Sequence, residues 1–239
     1  CAIQTQTALS LAIIHDLIPR DKMKTLLGSL NKLLFDKDYH LCTGFIGTQI
    51  LCRALTKAGD NYDAVTSFMQ KSYPSWLCPV TMGATTMWER WDSLKPDGTI
   101  SPDGMNSFNH YAYGSICEWI YTDICGLNPT EDSPGFKKVI LCPHPDKRLG
   151  YAKALYESPM GLFKSGWIID KRNVKYSFSI PFNAEAKLII LKLKKNEIIS
   201  ASFETKEEDD NIVAQLNHSD YEITYKYNDQ IYSMPNKFI

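Results

Sequence analysis

The spacing of apolar side chains changes from helical to strand-like along this chain, and that change constrains the fold most. In residues 45–58 and 107–126, apolar side chains recur at the spacing of one helix face. In residues 174–180 and 221–227, they alternate with polar side chains, as in a strand with one buried face. The sequence therefore predicts an α-rich part followed by a β-rich part.

Helix follows helix in the first part, with short connections and no strand pattern between them. Pro19 is expected to end the first helix, Gly59 to follow the third and Asp60 to cap the fourth. Paired helices of this kind build bundles, solenoids or closed α/α toroids, and periodicity alone does not choose among them. The predicted helices cover residues 5–18, 20–34, 45–58, 62–71, 85–94 and 107–126.

Short strands dominate the chain after a stretch rich in proline, glycine and aspartate at residues 128–150. Turn residues separate these strands and no helix intervenes, which is typical of an antiparallel β-sandwich. We place the domain boundary near residue 140, which gives a helical domain over residues 1–140 and a sandwich domain over residues 141–239. The predicted strands cover residues 174–180, 186–193, 198–203, 212–216, 221–227 and 231–234.

The charge balance and hydropathy exclude some classes of partner. The net charge of −1 gives no electrostatic basis for binding nucleic acid or an anionic membrane surface. No apolar run is long enough to span a bilayer. We therefore expect neither nucleic acid nor a membrane among the partners.

Seven cysteines are scattered along the chain without a CxxC pair. This spacing argues against a zinc ribbon, and we expect neither a metal nor a cofactor. An odd, unpatterned set favours reduced, mostly buried thiols and a cytosolic setting. The chain begins at Cys1 rather than at a methionine, which we interpret as a cut inside a larger protein whose targeting signals are not visible here.

Glu89 lies between Trp88 and Trp91 in the segment GATTMWERWD, residues 83–92. Its spacing from Thr86 fits a capping box, in which the carboxylate reaches back to the first amide of a helix, and spacing alone favours this interpretation. The alternative is a general base, because a partly desolvated carboxylate flanked by indoles suits the proton transfer of glycoside hydrolysis. The local pattern leaves both interpretations open.

Two further residues are candidates for ligand contact. His110 is off the apolar stripe of its predicted helix and near its start, among Asn109, Tyr111 and Tyr113. It is either a structural hydrogen-bonding residue or part of a polar, aromatic pocket. Trp76 lies in a loop with a proline on either side, where an indole is suited to form a stacking wall for a sugar.

Several blocks of the chain resemble the C-terminal half of bacterial α-L-rhamnosidases, and the block around Glu89 is the most specific. The resemblance implies a catalytic (α/α)₆ toroid followed by a small β-sandwich, and hydrolysis of terminal α-L-rhamnosides with inversion. It implies that Glu89 is the general base, that His110 contacts the sugar, and that the pocket is lined by Trp76, Trp88, Arg90 and Trp91. The blocks are residues 5–7, 43–48, 73–77, 83–92, 107–114, 151–153 and 156–159.

The chain also departs from that family. The resemblance places the general acid, a glutamate, in an acidic segment containing tryptophan ahead of this region, and no such segment occurs here. About six helices are predicted, half of what a closed toroid of this type contains. We therefore expect part of the toroid, weakly active or inactive without the N-terminal half of the same protein. The alternatives are a non-catalytic module for carbohydrate binding or partner docking, and a toroid hydrolase or lyase of other specificity.

Overall fold

The computed structural model describes residues 3–228, which form two compact units. Within the described part, the first unit covers residues 3–117 and the second covers residues 118–228. The order of a helical part followed by a β-rich part is confirmed. The assignment of residues 1–140 and 141–239 as domains stays a prediction, and the strand predicted at residues 231–234 lies outside the described residues.

The first unit is built from short helices whose starts follow local capping signals. The Thr5 hydroxyl accepts a hydrogen bond from the Ala8 amide, and the Asp60 carboxylate accepts one from the Asp63 amide. Each side chain satisfies an amide that the first helical turn leaves unpaired. The helices are α1 (Gln6–Ile14), α2 (Met23–Phe35), α3 (Phe45–Lys57), α4 (Asn61–Phe68), α5 (Leu77–Thr81) and α6 (Ile116–Trp119), the last of which spans the division between the units.

Helix α3 is central to the first unit because it packs against both α1 and α4. Its approach to α1 depends on Gly47, where an added Cβ would lie 2.1 Å from the Thr7 hydroxyl oxygen. A side chain at this position would therefore collide with the side chains of Thr7 and Thr43. The apolar stripe of these helices forms a core with no exposed surface at several positions, namely Ile13, Leu30, Leu34, Leu51 and Leu55.

The helix predicted at residues 85–94 does not form, and this part of the prediction was wrong. Residues 83–111 contain turns, bends and one isolated bridge between Leu94 and Ile100. Helical structure resumes only at Ala112, as a 3₁₀ turn that leads into α6 and then a π-helical turn over Ile120–Ile124. The capping box at Thr86 and Glu89 is consequently absent, because there is no helix for it to cap.

The second unit contains two five-stranded sheets, ordered β1-β2-β6-β9-β8 and β3-β4-β5-β10-β7. Pairing is antiparallel throughout except between β2 and β6, which run parallel. The strands are β1 (Leu127–Pro129), β2 (Lys138–Leu141), β3 (Tyr151–Ser158), β4 (Gly161–Asp170), β5 (Asn173–Ile180), β6 (Glu185–Ile190), β7 (Ile198–Ala201), β8 (Lys206–Glu208), β9 (Asn211–Leu216) and β10 (Ser219–Lys226). The predicted β-sandwich is confirmed, with more strands than the pattern indicated.

A buried polar network fastens β4 to the end of the π-helical turn. The Ser165 hydroxyl is 2.6 Å from the Cys125 carbonyl oxygen and 2.8 Å from the Tyr176 hydroxyl. The Trp167 indole donates to the Ile124 carbonyl at 2.8 Å. These bonds satisfy carbonyl groups that a helix end leaves unpaired, so the network fixes where the helical segment meets the sheet.

The six cysteines in the described part of the chain are free thiols. Cys52 and Cys125 are buried, whereas Cys42 and Cys117 are exposed, so the expectation of mostly buried thiols holds for only some of them. Burial raises the pKa of Cys125 and of Cys142 to about 12. These two thiols therefore stay protonated near neutral pH and are poor nucleophiles.

Ser165→Ala is expected to destabilise the chain more than Tyr176→Phe. The alanine leaves both the Cys125 carbonyl and the Tyr176 hydroxyl without Ser165, at a cost of about 2 kcal/mol or more. The phenylalanine leaves the Ser165–Cys125 bond intact and should cost about 1 kcal/mol. Urea unfolding followed by tryptophan fluorescence measures both. Equal losses, or a greater loss for Tyr176→Phe, would contradict the central position of Ser165 in this network.

Candidate active site

Two irregular segments, residues 86–89 and 107–110, lie side by side and run in opposite directions. The Glu89 amide donates to the Ser107 carbonyl at 2.9 Å, and the His110 amide donates to the Met87 carbonyl at 2.8 Å. The backbone groups that a helix over residues 85–94 needs are therefore bonded to a distant part of the chain. This pairing brings the segments carrying Glu89 and His110 together.

The Glu89 carboxylate is fixed by the same pairing. Its Oε2 atom accepts a hydrogen bond from the Ser107 amide at 2.8 Å, and the side chain is half-buried. The backbone and side chain of Glu89 thus hold Ser107 from both sides. One carboxylate oxygen is anchored, so the orientation of the other is fixed as well, which is what a base acting on a positioned water requires.

His110 is oriented by one hydrogen bond and two aromatic rings. Its Nδ1 atom accepts from the Ala112 amide at 3.2 Å, so the neutral imidazole carries its proton on Nε2. The ring stacks on Phe45 with centroids 5.1 Å apart and on Tyr111 with centroids 5.3 Å apart. The imidazole is therefore held in one plane with an N–H donor at its far edge.

Arg90 braces the loop that follows Glu89. Its guanidinium bonds Asp92 at 3.0 Å and Asp103 at 2.9 Å. The hydrogen bond from Arg90 lowers the pKa of Asp92 below its ordinary value. The resemblance implies that Arg90 lines the pocket, whereas in this structure its charge is engaged by two carboxylates within its own loop.

The three tryptophans predicted to line the pocket are buried in this structure. Trp76, Trp88 and Trp91 are 3%, 5% and 8% exposed. Trp91 stacks face to face on Tyr113 at 3.8 Å, and Trp76 meets Trp91 edge-on at 5.9 Å. The proposed contact of these indoles with a sugar stays a prediction, and in this structure Trp91 and Trp76 pack against other aromatic rings.

The buried indoles support the site from beneath. The Trp76 indole donates to the Tyr113 carbonyl at 3.1 Å, and Trp88 packs edge-on against Phe108 at 5.4 Å. Burial raises the pKa of the Tyr113 hydroxyl. The aromatic cluster therefore connects the Glu89 segment to the segment that carries His110, from the apolar side.

Neither Ser107 nor Phe45 was predicted as a site residue. Ser107 acts through its backbone amide, which no side-chain motif reveals, and Phe45 reaches His110 from the start of α3. Within residues 3–228, no cluster of three or more His, Cys, Asp or Glu side chains is placed to hold a metal ion. None of the helices in that part of the chain is long and apolar enough to cross a membrane.

Comparison with known families matches both parts of the chain. Residues 1–124 match the family described as bacterial alpha-L-rhamnosidase 6 hairpin glycosidase domain, and residues 126–202 match the bacterial alpha-L-rhamnosidase C-terminal domain. Together these matches confirm the expected class of fold, part of a six-hairpin toroid followed by a sandwich.

Individual relatives and solved structures agree with the family match. The chain is 39% identical over 186 residues to alpha-L-rhamnosidases from Alteromonas sp. (strain LOR) and Streptomyces avermitilis, covering 78% of this chain but 20% and 18% of theirs. The crystal structure of Streptomyces avermitilis alpha-L-rhamnosidase complexed with L-rhamnose has a TM-score of 0.84 at 35% identity, covering 93% of this chain and 22% of that one. The native enzyme from Aspergillus terreus has a TM-score of 0.82 at 31% identity, with 94% and 24% covered. The chain thus spans about a fifth of the length of these relatives.

Asp92→Asn is expected to cost stability at neutral pH but not in acid. A carboxyl whose pKa is lowered on folding stabilises the fold above its unfolded-state pKa of about 4, and this contribution is lost as pH falls through the lowered folded value. Because the Arg90–Asp92 pair is partly exposed, the difference at neutral pH should be below about 1 kcal/mol.

Urea unfolding between about pH 7 and about pH 3 measures the effect. The gap between the wild-type chain and Asp92→Asn should close at the acidic end of this range. Asp132→Asn, on an exposed loop, is the matched control. A gap that does not change with pH would contradict a role for the Asp92 charge.

Proposed function

The chain belongs to the bacterial α-L-rhamnosidase family, and from that premise we propose that the protein containing it hydrolyses terminal α-L-rhamnosides by inverting single displacement. Glu89 is the general base: its free oxygen takes a proton from the water that attacks the anomeric carbon. The observation that carries this assignment is the Glu89 carboxylate itself, anchored on the Ser107 amide beside the segment of His110. An anchored carboxylate directs water along one line of attack.

The proton balance of this reaction requires a second carboxyl group. As the glycosidic bond breaks, a general acid protonates the leaving oxygen while Glu89 accepts a proton from the attacking water. In inverting enzymes the two carboxyl groups are about 6.5–9.5 Å apart. We assign the acid to a part of the protein outside this chain, because the expected acidic segment with tryptophan does not occur in its sequence.

His110 is proposed to bind the sugar. Because its Nδ1 atom is occupied by the Ala112 amide, its Nε2–H is the donor available to a ring hydroxyl. The exposed ring of Tyr111, stacked on His110, offers an apolar surface to the sugar. The bound sugar is proposed to be L-rhamnose, the ligand named for the Streptomyces avermitilis structure.

The proposal that this chain is a piece of the catalytic toroid has support in the helical unit. Large apolar side chains are exposed there at Leu17, Phe35 and Ile46. The rest of a toroid would cover such positions. The rival proposal is a non-catalytic carbohydrate-binding module, which binds the sugar without hydrolysing its glycosidic bond. The two proposals therefore predict different turnover but the same binding.

Glu89→Gln in the whole protein is expected to abolish most turnover while sparing sugar binding. The amide keeps the hydrogen bond from Ser107 but cannot accept a proton, so turnover of 4-nitrophenyl α-L-rhamnoside should fall by about a hundredfold or more. Calorimetric titration with L-rhamnose measures the binding. Glu131→Gln, on an exposed loop, is the control and should retain full turnover. Unchanged turnover in Glu89→Gln would remove Glu89 from the chemistry.

The chain by itself is expected to be weakly active or inactive. Without the general acid, hydrolysis of methyl α-L-rhamnoside should be slower than in the whole protein by about 10²–10⁴-fold, because methoxide must be protonated as it leaves. The deficit should be smaller with 4-nitrophenyl α-L-rhamnoside, whose leaving group needs little protonation. Initial rates with both substrates measure this. A chain that matches the whole protein on the methyl glycoside would mean that the acid lies within these residues.

A further inference from the structure

The second unit carries a groove that the proposed catalytic chemistry does not use. It lies on the outer face of the sheet β3-β4-β5-β10-β7 and has a volume of about 650 Å³. Pockets that bind small molecules fall in the range of about 300–1,000 Å³. The size of the groove therefore fits one or a few sugar rings.

Cross-strand register places one continuous row of side chains across the groove floor. Lys153 pairs with Gly166, Gly166 with Ser177, and Ser177 with Glu222. Gly166 has no side chain and leaves the backbone of β4 bare in the middle of this row. Hydrogen-bonding side chains lie on both sides of it.

The acidic side chains of the groove are already engaged, whereas two of its lysines are not. Glu222 is paired with Lys175 at 2.9 Å, and Asp220 accepts a hydrogen bond from the Ser179 hydroxyl. Among residues 3–228, no carboxylate lies within salt-bridge distance of Lys153 or Lys164. Lys153 lies opposite Gly166 and Lys164 opposite Leu155, so the two lysines are diagonal neighbours on β3 and β4, and their like charges repel each other unless an anion lies between them.

We propose that this groove binds an anionic saccharide, with the carboxylate of a uronic acid residue between Lys153 and Lys164. Two ammonium groups on adjacent strands suit a carboxylate, and the serine hydroxyls of β5 suit ring hydroxyls. Tyr151, 69% exposed at the edge of the groove, provides a ring on which a sugar face can stack. The choice of a saccharide over another anion rests on the proposed rhamnosidase function, whereas the choice of a negative charge rests on the lysines alone.

The test is calorimetric titration of the 239-residue chain with trigalacturonic acid. We expect saturable binding that weakens at least about tenfold in Lys153→Gln/Lys164→Gln, because two charge-assisted contacts are lost. The methyl ester of the same trisaccharide, which has the same shape without the charge, should bind as weakly to the wild-type chain. Ser177→Trp, which fills the groove from an exposed strand position, should also abolish binding.

Lys195→Gln/Lys206→Gln is the matched control, with the same charge change outside the groove. It should bind trigalacturonic acid as the wild-type chain does. No binding by the wild-type chain, or equal binding by the groove variants, overturns the proposal. Equal affinity for hexaglutamate overturns the saccharide part and makes the groove a site for acidic peptides. Turnover of a rhamnoside by the whole protein should not change in Lys153→Gln/Lys164→Gln, so failure of the groove and failure of the proposed catalysis are separately observable.

Discussion

The backbone pairing between residues 86–89 and 107–110 is the constraint on which the candidate site depends. It places Glu89 and His110 on adjacent segments, and it supplies the Ser107 amide that holds the Glu89 carboxylate. Only a few hydrogen bonds carry this pairing, and each contributes about 1 kcal/mol net. The geometry therefore needs support from elsewhere, which the buried indoles provide from below and the Arg90 carboxylate pairs provide at the loop.

This arrangement explains why the tryptophans are buried although they flank the candidate base. An irregular backbone over residues 83–111 lacks the internal hydrogen bonds of a helix, so packing has to fix its path. Trp91 within this region stacks at 3.8 Å on Tyr113, which follows it, and the Trp76 indole donates to the Tyr113 carbonyl. The indoles thus help to fix the position of Glu89 through the backbone.

Local sequence signals predicted the helices well where neighbouring residues determine the helix ends. Helices α3 and α4 begin and end close to the predicted residues because Asp60 caps one and Gly59 follows the other. Strands β1 and β2 were missed because they are short and lie in a stretch rich in proline and glycine. Strand β3 was missed because few of its side chains are buried, so its apolar residues do not alternate.

The geometry of the candidate site could not be predicted from local patterns, because its contacts join residues that are distant in sequence. Spacing from Thr86 to Glu89 fits a capping box, but the Glu89 amide and carboxylate both bond to Ser107, a partner that no local window includes. The resemblance implied the role of Glu89 without its geometry. It could not indicate that Ser107 holds the carboxylate through its backbone or that Phe45 stacks on His110, because neither contact leaves a side-chain pattern near the residue it serves.

The two faces of strand β4 differ in their polar groups: those on the buried face are hydrogen-bonded within the protein, and those on the outer face are exposed to solvent. Inward-facing Ser165 and Trp167 bond the Cys125 and Ile124 carbonyls, which leaves their buried polar groups satisfied. Outward-facing Lys164 and Gly166 present a charge and a gap to solvent. Because the inward bonds hold the strand in place, a ligand on the outer face meets a surface that is already ordered. Binding there costs less conformational entropy than binding to a mobile loop, and preorganisation of this kind favours a weakly attractive ligand such as a sugar.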